Sequence, residues 1–269
     1  MSVSAPCALG HARLTEAFPG VRVHRGAPRT GDGWVNGGHL LRDRAVLREL
    51  IDFDALQGPA RYGRPLRPDV AAGFCLHRYC WPVGLLFTLP WLLERRVPRL
   101  PAGAVSIRRR TGELTAAIGP FACLPDDPAA GLPGARVVAD AAALRAELLA
   151  ALVEHLAPVL AAFRPEVRRG PHTLWTCAKD AVVEGLWQVA ARLGEDEEER
   201  AVAALSRLLP EASGGRAPAG PPFAGGAGFR LEEQDGAGPV RTRTRAGCCL
   251  LYTVRPQDMC TGCPRIARG

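Results

Sequence analysis

The sequence lacks a long apolar run and an export signal. Its most apolar stretch, from Trp81 to Leu93, contains Pro82 and Pro90 and is shorter than the ~20 residues that a membrane-spanning helix needs. The opening MSVSAPCALGHARL has no cationic start followed by an apolar segment, so it does not indicate secretion. We therefore expect a cytoplasmic protein with no membrane span, whose nine cysteines are reduced.

The sequence also lacks the motifs of nucleic-acid binding and of flavin or nicotinamide binding. The formal net charge is +7, but no basic helix or aromatic-interleaved strand accompanies it, so we expect no nucleic acid partner. Gly31 and Gly33 begin a glycine-rich loop, but no buried strand precedes them and the third glycine is displaced, which indicates a surface turn. Electrons for any redox reaction must therefore come from an external donor, such as a ferredoxin, a flavoprotein reductase or a small reductant.

Apolar periodicity predicts a helix-rich body. Asp69 is placed to begin a helix that ends near Pro82, and Asp140 begins a helix with leucines at four-residue intervals that Pro158 should kink or end. We expect an α+β fold, in which the helix-rich body carries small antiparallel β elements and precedes a C-terminal cysteine-rich segment. Further helices are predicted at 40–56, 173–193 and 195–209, and strands at 105–107, 114–118, 229–231 and 240–245.

A run of Gly, Ala, Pro and Ser at residues 212–228 predicts a flexible linker. It divides the chain into an α+β body, residues 1–211, and a C-terminal segment, residues 229–269. In that segment a predicted hairpin brings the chain to its last cysteines.

Four of the cysteines lie close together near the end of the sequence. Cys248 and Cys249 are adjacent, and ten residues separate them from Cys260 and Cys263, which are spaced as Cys-x-x-Cys. Thiolates select zinc, copper(I) or iron–sulfur units over hard cations, and a Cys-x-x-Cys turn directs two sulfurs at one site. The sequence therefore predicts a metal centre here.

The adjacent pair favours an iron–sulfur cluster over zinc. Neighbouring residues in an extended chain point to opposite faces, so Cys248 and Cys249 reach a single ion only through a sharp distortion. A two-iron cluster is larger than a single ion, so its ligands need not converge on one point. A four-iron cluster and a structural zinc site stay as alternatives.

The remaining chemistry-bearing residues are assigned to the body. His155 lies among apolar helix positions and is predicted to be a helix-face residue rather than a metal ligand. Free cysteine is common in protein cores. We predict core positions for Cys75, Cys80, Cys123 and Cys177, with a second metal site at Cys75, His77, Cys80 and Cys123 as the alternative.

The string Arg-Thr-Arg-Ala-Gly-Cys248-Cys249-Leu-Leu-Tyr252, followed by Cys260-Thr-Gly-Cys263-Pro264, resembles the C-terminal motif of the FhuF-like ferric-siderophore reductases. The order, the ten-residue gap and the trailing proline match. The resemblance implies a [2Fe-2S] cluster held by Cys248, Cys249, Cys260 and Cys263. It also implies an oxidoreductase that passes one electron to the ferric ion of a siderophore, often a hydroxamate, and so releases iron in the cytoplasm.

Three arginines accompany the cysteines. Arg243 and Arg245 precede the adjacent pair, and Arg255 lies inside the ten-residue gap. Positive charge near thiolates favours the more negative, reduced state of a cluster and attracts an anionic complex. We predict that these arginines tune the cluster or bind the substrate, with solvated strand-face charges as the alternative.

Two other functions fit the same cysteines. One is a [2Fe-2S] electron carrier or sensor that does not act on siderophores. The other is a binding module stabilised by structural zinc, in which chelation would unfold the C-terminal segment without any redox spectrum.

Overall fold

The computed structural model describes residues 5–210, 222–223, 225–234, 238–257, 259–260 and 262–265. Most of the predicted linker, 212–228, lies outside these residues. Within them the chain is helix-rich with small mixed sheets, which confirms the predicted fold class. The helices are α1 (Ala8–Ala17), α2 (Gly37–Arg42), α3 (Arg44–Leu56), α4 (Gly58–Tyr62), α5 (Pro68–Glu94), α6 (Ala141–Val167), α7 (Pro171–Leu193) and α8 (Glu195–Leu208). The strands are β1 (Arg22–Arg25), β2 (Trp34–Asn36), β3 (Arg96–Pro98), β4 (Val105–Arg108), β5 (Glu113–Ala116), β6 (Phe121–Cys123), β7 (Ala135–Val137), β8 (Phe229–Gln234) and β9 (Gly238–Arg243).

Helix α5 forms the centre of the body, where it packs against α1, α3, α6 and α7. The prediction that this helix ends near Pro82 is wrong, because α5 continues through Pro82 and Pro90 to Glu94. An internal proline removes a backbone hydrogen bond and costs about 3 kcal/mol. Burial offsets this cost, since every non-glycine side chain from Val83 to Leu89 is inaccessible to solvent. Helix α6 likewise continues through Pro158.

Helices α5 and α7 pack closely because glycines lie where they meet. A Cβ atom added at Gly84 would lie 2.8 Å from Val182 Cγ2, and one at Gly185 would lie 3.3 Å from the Trp81 carbonyl oxygen. The absence of both side chains lets the two backbones approach. This packing sets the N-terminal half of α5 beside the first turns of α7, where the C-terminal segment docks.

The strands form three small sheets. The first has the order β1-β5-β4-β2, the second β3-β6-β7, and the third is the β8-β9 hairpin. The predicted hairpin of β4 and β5 is confirmed, with Val105 opposite Ala116 in antiparallel register. In addition, β1 pairs with β5 and β6 pairs with β7 in parallel, so the first two sheets are mixed.

Helices α5 and α6 are each long and apolar enough to cross a membrane when judged by length and composition alone. The core helix of a globular protein passes the same test. In this fold, 72% of the most apolar window of α5 is buried inside the protein, and the corresponding share for α6 is 44%.

The C-terminal segment packs against the body. Phe229 of β8 makes an edge-to-face contact with Trp187 of α7, with ring centroids 5.5 Å apart. Beyond the hairpin, Leu250 and Val254 are buried against Val70 and Phe74 of α5. The segment therefore lies across α5 and α7, and three of its cysteines, Cys248, Cys249 and Cys260, line a cleft with residues of both helices.

Candidate metal centre

One backbone hydrogen bond joins the two cysteine-bearing stretches, and another closes the Cys-x-x-Cys turn. The Arg245 amide donates to the Gly262 carbonyl at 2.9 Å, and the Cys263 amide donates to the Cys260 carbonyl at 3.0 Å. Gly262 has a φ of 71°, and a Cβ atom there would overlap the carbonyl oxygen of Arg243. A glycine is therefore required inside the Cys-x-x-Cys turn, because only glycine allows both the positive φ and the close approach.

The structure brings two of the predicted ligands into contact. The Sγ atoms of Cys249 and Cys260 are 3.4 Å apart. Cys248 lines the same cleft as this pair, whereas Cys263 is buried with 4% of its surface exposed. Among the residues that the structure describes, no group of three or more metal-binding side chains gathers at the spacing of one ion.

The contact between the two thiols changes their acidity. The hydrogen bond between them lowers the pKa of Cys249 to about 6 and raises the pKa of Cys260. The backbone N–H of Leu251 and the charge of Arg245 also lower the pKa of Cys249. The contact therefore favours one thiolate in this pair, the form that binds metal.

These features fit a [2Fe-2S] cluster. The donor set is soft sulfur, and an amide N–H and a guanidinium group act on Cys249. Such hydrogen bonds and charges are the means by which proteins stabilise and tune thiolate-bound clusters. Three of the four cysteines also border a cleft of about 260 Å³, which gives access to the thiols from outside.

Asp180 of α7 fixes the chain just before Cys248. Its carboxylate accepts from Arg243 Nη2 at 2.5 Å, from the Ala246 amide at 3.1 Å and from the Gly247 amide at 2.7 Å. The Asp180 side chain is fully buried, so its charge depends on these donors. Asp180 thus connects the body to the residue that immediately precedes the cysteine pair.

Glu184, one turn further along α7, completes the anchor. Its Oε1 lies 2.9 Å from Arg243 Nη1 and 3.2 Å from Arg245 Nε. Burial raises the pKa of Glu184, while Arg245 and Arg243 oppose that shift. Two acidic side chains four residues apart on one helix face therefore receive the arginines that precede the cysteines.

The three predicted arginines have different positions. Arg243 is 3% exposed and its guanidinium is bound to Asp180 and Glu184, so it is an anchor and is not accessible to a substrate. That it tunes the cluster stays a prediction. The side chain of Arg245 is 10% exposed and borders the cleft. Arg255 is exposed and does not line the cleft; it donates to the Arg61 carbonyl at 2.8 Å and lies over the ring of Tyr62.

The cleft also contains residues that sequence reasoning missed. Arg78 of α5 and Arg169, just after α6, line it together with Arg245, and none of its described lining residues is a carboxylate. Cys177, predicted as a core residue, is half-buried and borders the cleft beside Cys248 and Cys249. The sequence shows Asp180 and Glu184 as two carboxylates within a predicted apolar helix, but it does not indicate which residues pair with them.

The model of one protein family, the FhuF 2Fe-2S C-terminal domain, matches residues 245–265 of the chain. The C-terminal residues of the chain are similar to this 2Fe-2S domain. This match covers all four predicted ligands and begins at Arg245, next to the Asp180 anchor. A search of curated proteins finds no match to the chain.

Proposed function

We propose that this protein is a cytoplasmic ferric-siderophore reductase. In this proposal Cys248, Cys249, Cys260 and Cys263 hold a [2Fe-2S] cluster, and the substrate is a ferric siderophore, with a hydroxamate type as the first candidate. The observation that carries the proposal is the FhuF-type domain at 245–265, whose thiols Cys249 and Cys260 meet at the edge of an open cleft.

The chemistry of iron release supports this function. Ferric ion is small, hard and triply charged, so an oxygen cage holds it tightly, and ferrous ion is held far more weakly. A bound iron–sulfur cluster supplies single electrons at a potential that the surrounding protein tunes. Each turnover takes one electron from an external donor, such as a ferredoxin, a flavoprotein or a small reductant, and converts one Fe(III) to Fe(II).

The residues of the chain have defined parts in this scheme. Asp180 and Glu184 hold the cysteine turns on the body, and Arg245 places positive charge beside Cys249 and Cys260. Burial alone would lower the pKa of Arg245, but the surrounding acids and thiols raise it, so the group stays charged. This charge favours thiolate ligands and a more negative, reduced centre.

The proposal is tested first on the cofactor. Anaerobically purified protein should be coloured, contain about two irons per chain and give an EPR signal after one-electron reduction. Cys260→Ser should remove the colour and the iron, while Cys123→Ser, at a buried cysteine of β6, should retain both. Colourless protein that contains only zinc would refute the proposal.

The second test is electron transfer to substrate. Reduced protein is mixed anaerobically with a ferric trihydroxamate complex, and Fe(II) is trapped with a ferrous-specific chelator. We expect reoxidation of the cluster and one Fe(II) per electron transferred. A reduced cluster that persists in the presence of every ferric complex would instead indicate an electron carrier or sensor.

A further inference from the structure

A second cavity adjoins the cleft beside the cysteines. It has a volume of about 390 Å³, and we call it the arginine cavity because Arg78, Arg108 and Arg109 line it. His77 and Arg78, consecutive residues of α5, line both the arginine cavity and the cysteine cleft. The two cavities are therefore adjacent and share these two residues as a common border.

The arginine cavity carries an excess of positive charge. Glu113 is the only carboxylate among its described lining residues. It accepts from Thr111 at 2.6 Å, and its oxygens lie 2.9 Å from His24 Nε2 and 3.4 Å from Arg108 Nη1. Asp54 is buried nearby and lies 2.6 Å from a guanidinium nitrogen of both Arg78 and Arg109. Three arginines thus face two carboxylates.

The rest of the lining is apolar or neutral. Trp81, Pro82, Ile107 and Leu114 supply carbon surface beside the guanidinium groups. Burial lowers the pKa of His77 to about 4, so this residue adds no charge at neutral pH. Apolar surface with a few charged groups is typical of small-molecule sites, in which the charged groups fix the orientation of the ligand.

We propose that the arginine cavity binds a carboxylate on the periphery of a ferric hydroxamate whose iron centre faces the cysteine cleft. This inference rests on the proposed function and names a charge class for its substrate. Arginine is suited to the role because its planar fork binds a carboxylate through two parallel hydrogen bonds. The arginine cavity offers the guanidinium groups of Arg108 and Arg109, which the cysteine cleft does not contain.

The inference is tested with three complexes that share one linear trihydroxamate core. Its terminal amine is left free, acetylated or succinylated, which gives a cationic, a neutral and an anionic periphery around the same iron site. Gallium(III) complexes of the three are titrated calorimetrically into oxidised cluster-loaded protein, because they have the charge and shape of the ferric complexes but accept no electron. We expect the succinylated complex to bind about threefold more tightly than the acetylated one, as for one partly solvated ion pair.

Arg108→Gln is the test variant, because Arg108 is about a third exposed and does not contact the buried Asp54, as Arg78 and Arg109 do. It should abolish the preference for the succinylated complex. Arg200→Gln, on α8, removes the same charge from an exposed site outside both cavities and should keep that preference.

The results separate the two hypotheses. Equal gallium affinities for the three complexes, or a preference that Arg200→Gln reduces as much as Arg108→Gln, would refute the carboxylate site. Reduction of all three ferric complexes with equal affinities would leave the proposed reductase function intact. If none of the three ferric complexes is reduced, that function is refuted, whatever the order of their affinities.

Discussion

Asp180 is the residue through which the body holds the cysteine turns. One buried carboxylate satisfies the guanidinium of Arg243 and the amides of Ala246 and Gly247, within two residues of Cys248. Loss of one member of a buried ion pair is costly because the other charge remains without water. The anchor therefore contributes to stability and also sets where the first two cysteines lie.

We predict that Asp180→Asn lowers the free energy of unfolding by about 3 kcal/mol, because it leaves Arg243 buried with Glu184 as its remaining acidic partner. The measurement is denaturant unfolding monitored by circular dichroism. Asp126→Asn is a matched control, since Asp126 also pairs with an arginine, Arg95, but is 64% exposed. The control should lower the free energy of unfolding by less than about 1 kcal/mol. Equal effects of the two substitutions would contradict a buried anchor.

At the scale of elements, the contact between α5 and α7 depends on glycine. Gly84 leaves room for Val182, whereas Gly73 on the same helix has no neighbouring atom within 4 Å of an added Cβ. Alanine is favoured over glycine in a helix by about 1 kcal/mol. A change to alanine therefore tests helix propensity alone at Gly73, and propensity together with packing at Gly84.

We expect Gly84→Ala to lower the free energy of unfolding by about 1 kcal/mol or more, because overpacking of the core outweighs the gain in helix propensity. Gly73→Ala should leave stability unchanged or raise it. Thermal and denaturant unfolding of both variants measures the difference. If Gly84→Ala is as stable as Gly73→Ala, the helices do not pack as closely as described.

His155 joins α6 to its neighbours by two buried hydrogen bonds. Its Nε2 lies 2.9 Å from the Tyr79 hydroxyl of α5, and its Nδ1 lies 2.7 Å from the Leu100 carbonyl. With Nδ1 protonated, the neutral ring donates to Leu100 and accepts from Tyr79. The side chain is fully buried, so the helix face that His155 occupies is the one that faces the core.

Burial lowers the pKa of His155 to about 4, below its ordinary value of 6.5. Between these values the unfolded chain binds the proton and the folded protein does not, so we predict that stability falls as the pH is lowered from 6.5 towards 4. Unfolding curves of the natural chain and of His155→Gln across this pH range measure how much of the pH dependence of stability comes from His155. A pH dependence that is unchanged in His155→Gln would contradict the assignment.

At the scale of the whole molecule, the main apolar core belongs to the helices of the body. It is built mainly from α5, α6 and α7, and none of Cys248, Cys249, Cys260 and Cys263 is part of it. The Asp180 hydrogen bonds also do not involve the cysteine side chains. We therefore expect the body to fold without the proposed cluster.

We predict that removal of iron by anaerobic chelation leaves the far-ultraviolet circular dichroism unchanged. In hydrogen exchange, the amides of Ala246 and Gly247 should remain protected because Asp180 still accepts from them, whereas the Cys263 amide should exchange faster. Cys260→Ser protein under the same treatment should show no change. Loss of helical signal on chelation would show that the body requires the metal.

The sequence alone determined the helices with strong periodicity, the β4–β5 hairpin and the cysteine motif, because these are local patterns set by residue type and spacing. It could not show that α5 continues through two prolines, since the burial that offsets their cost comes from other elements. The anchor role of Arg243 and the position of Arg78, Arg169 and Arg245 at one cleft became visible in the folded structure. The role of a charge depends on which distant groups the fold places around it, and spacing along the chain does not contain that information.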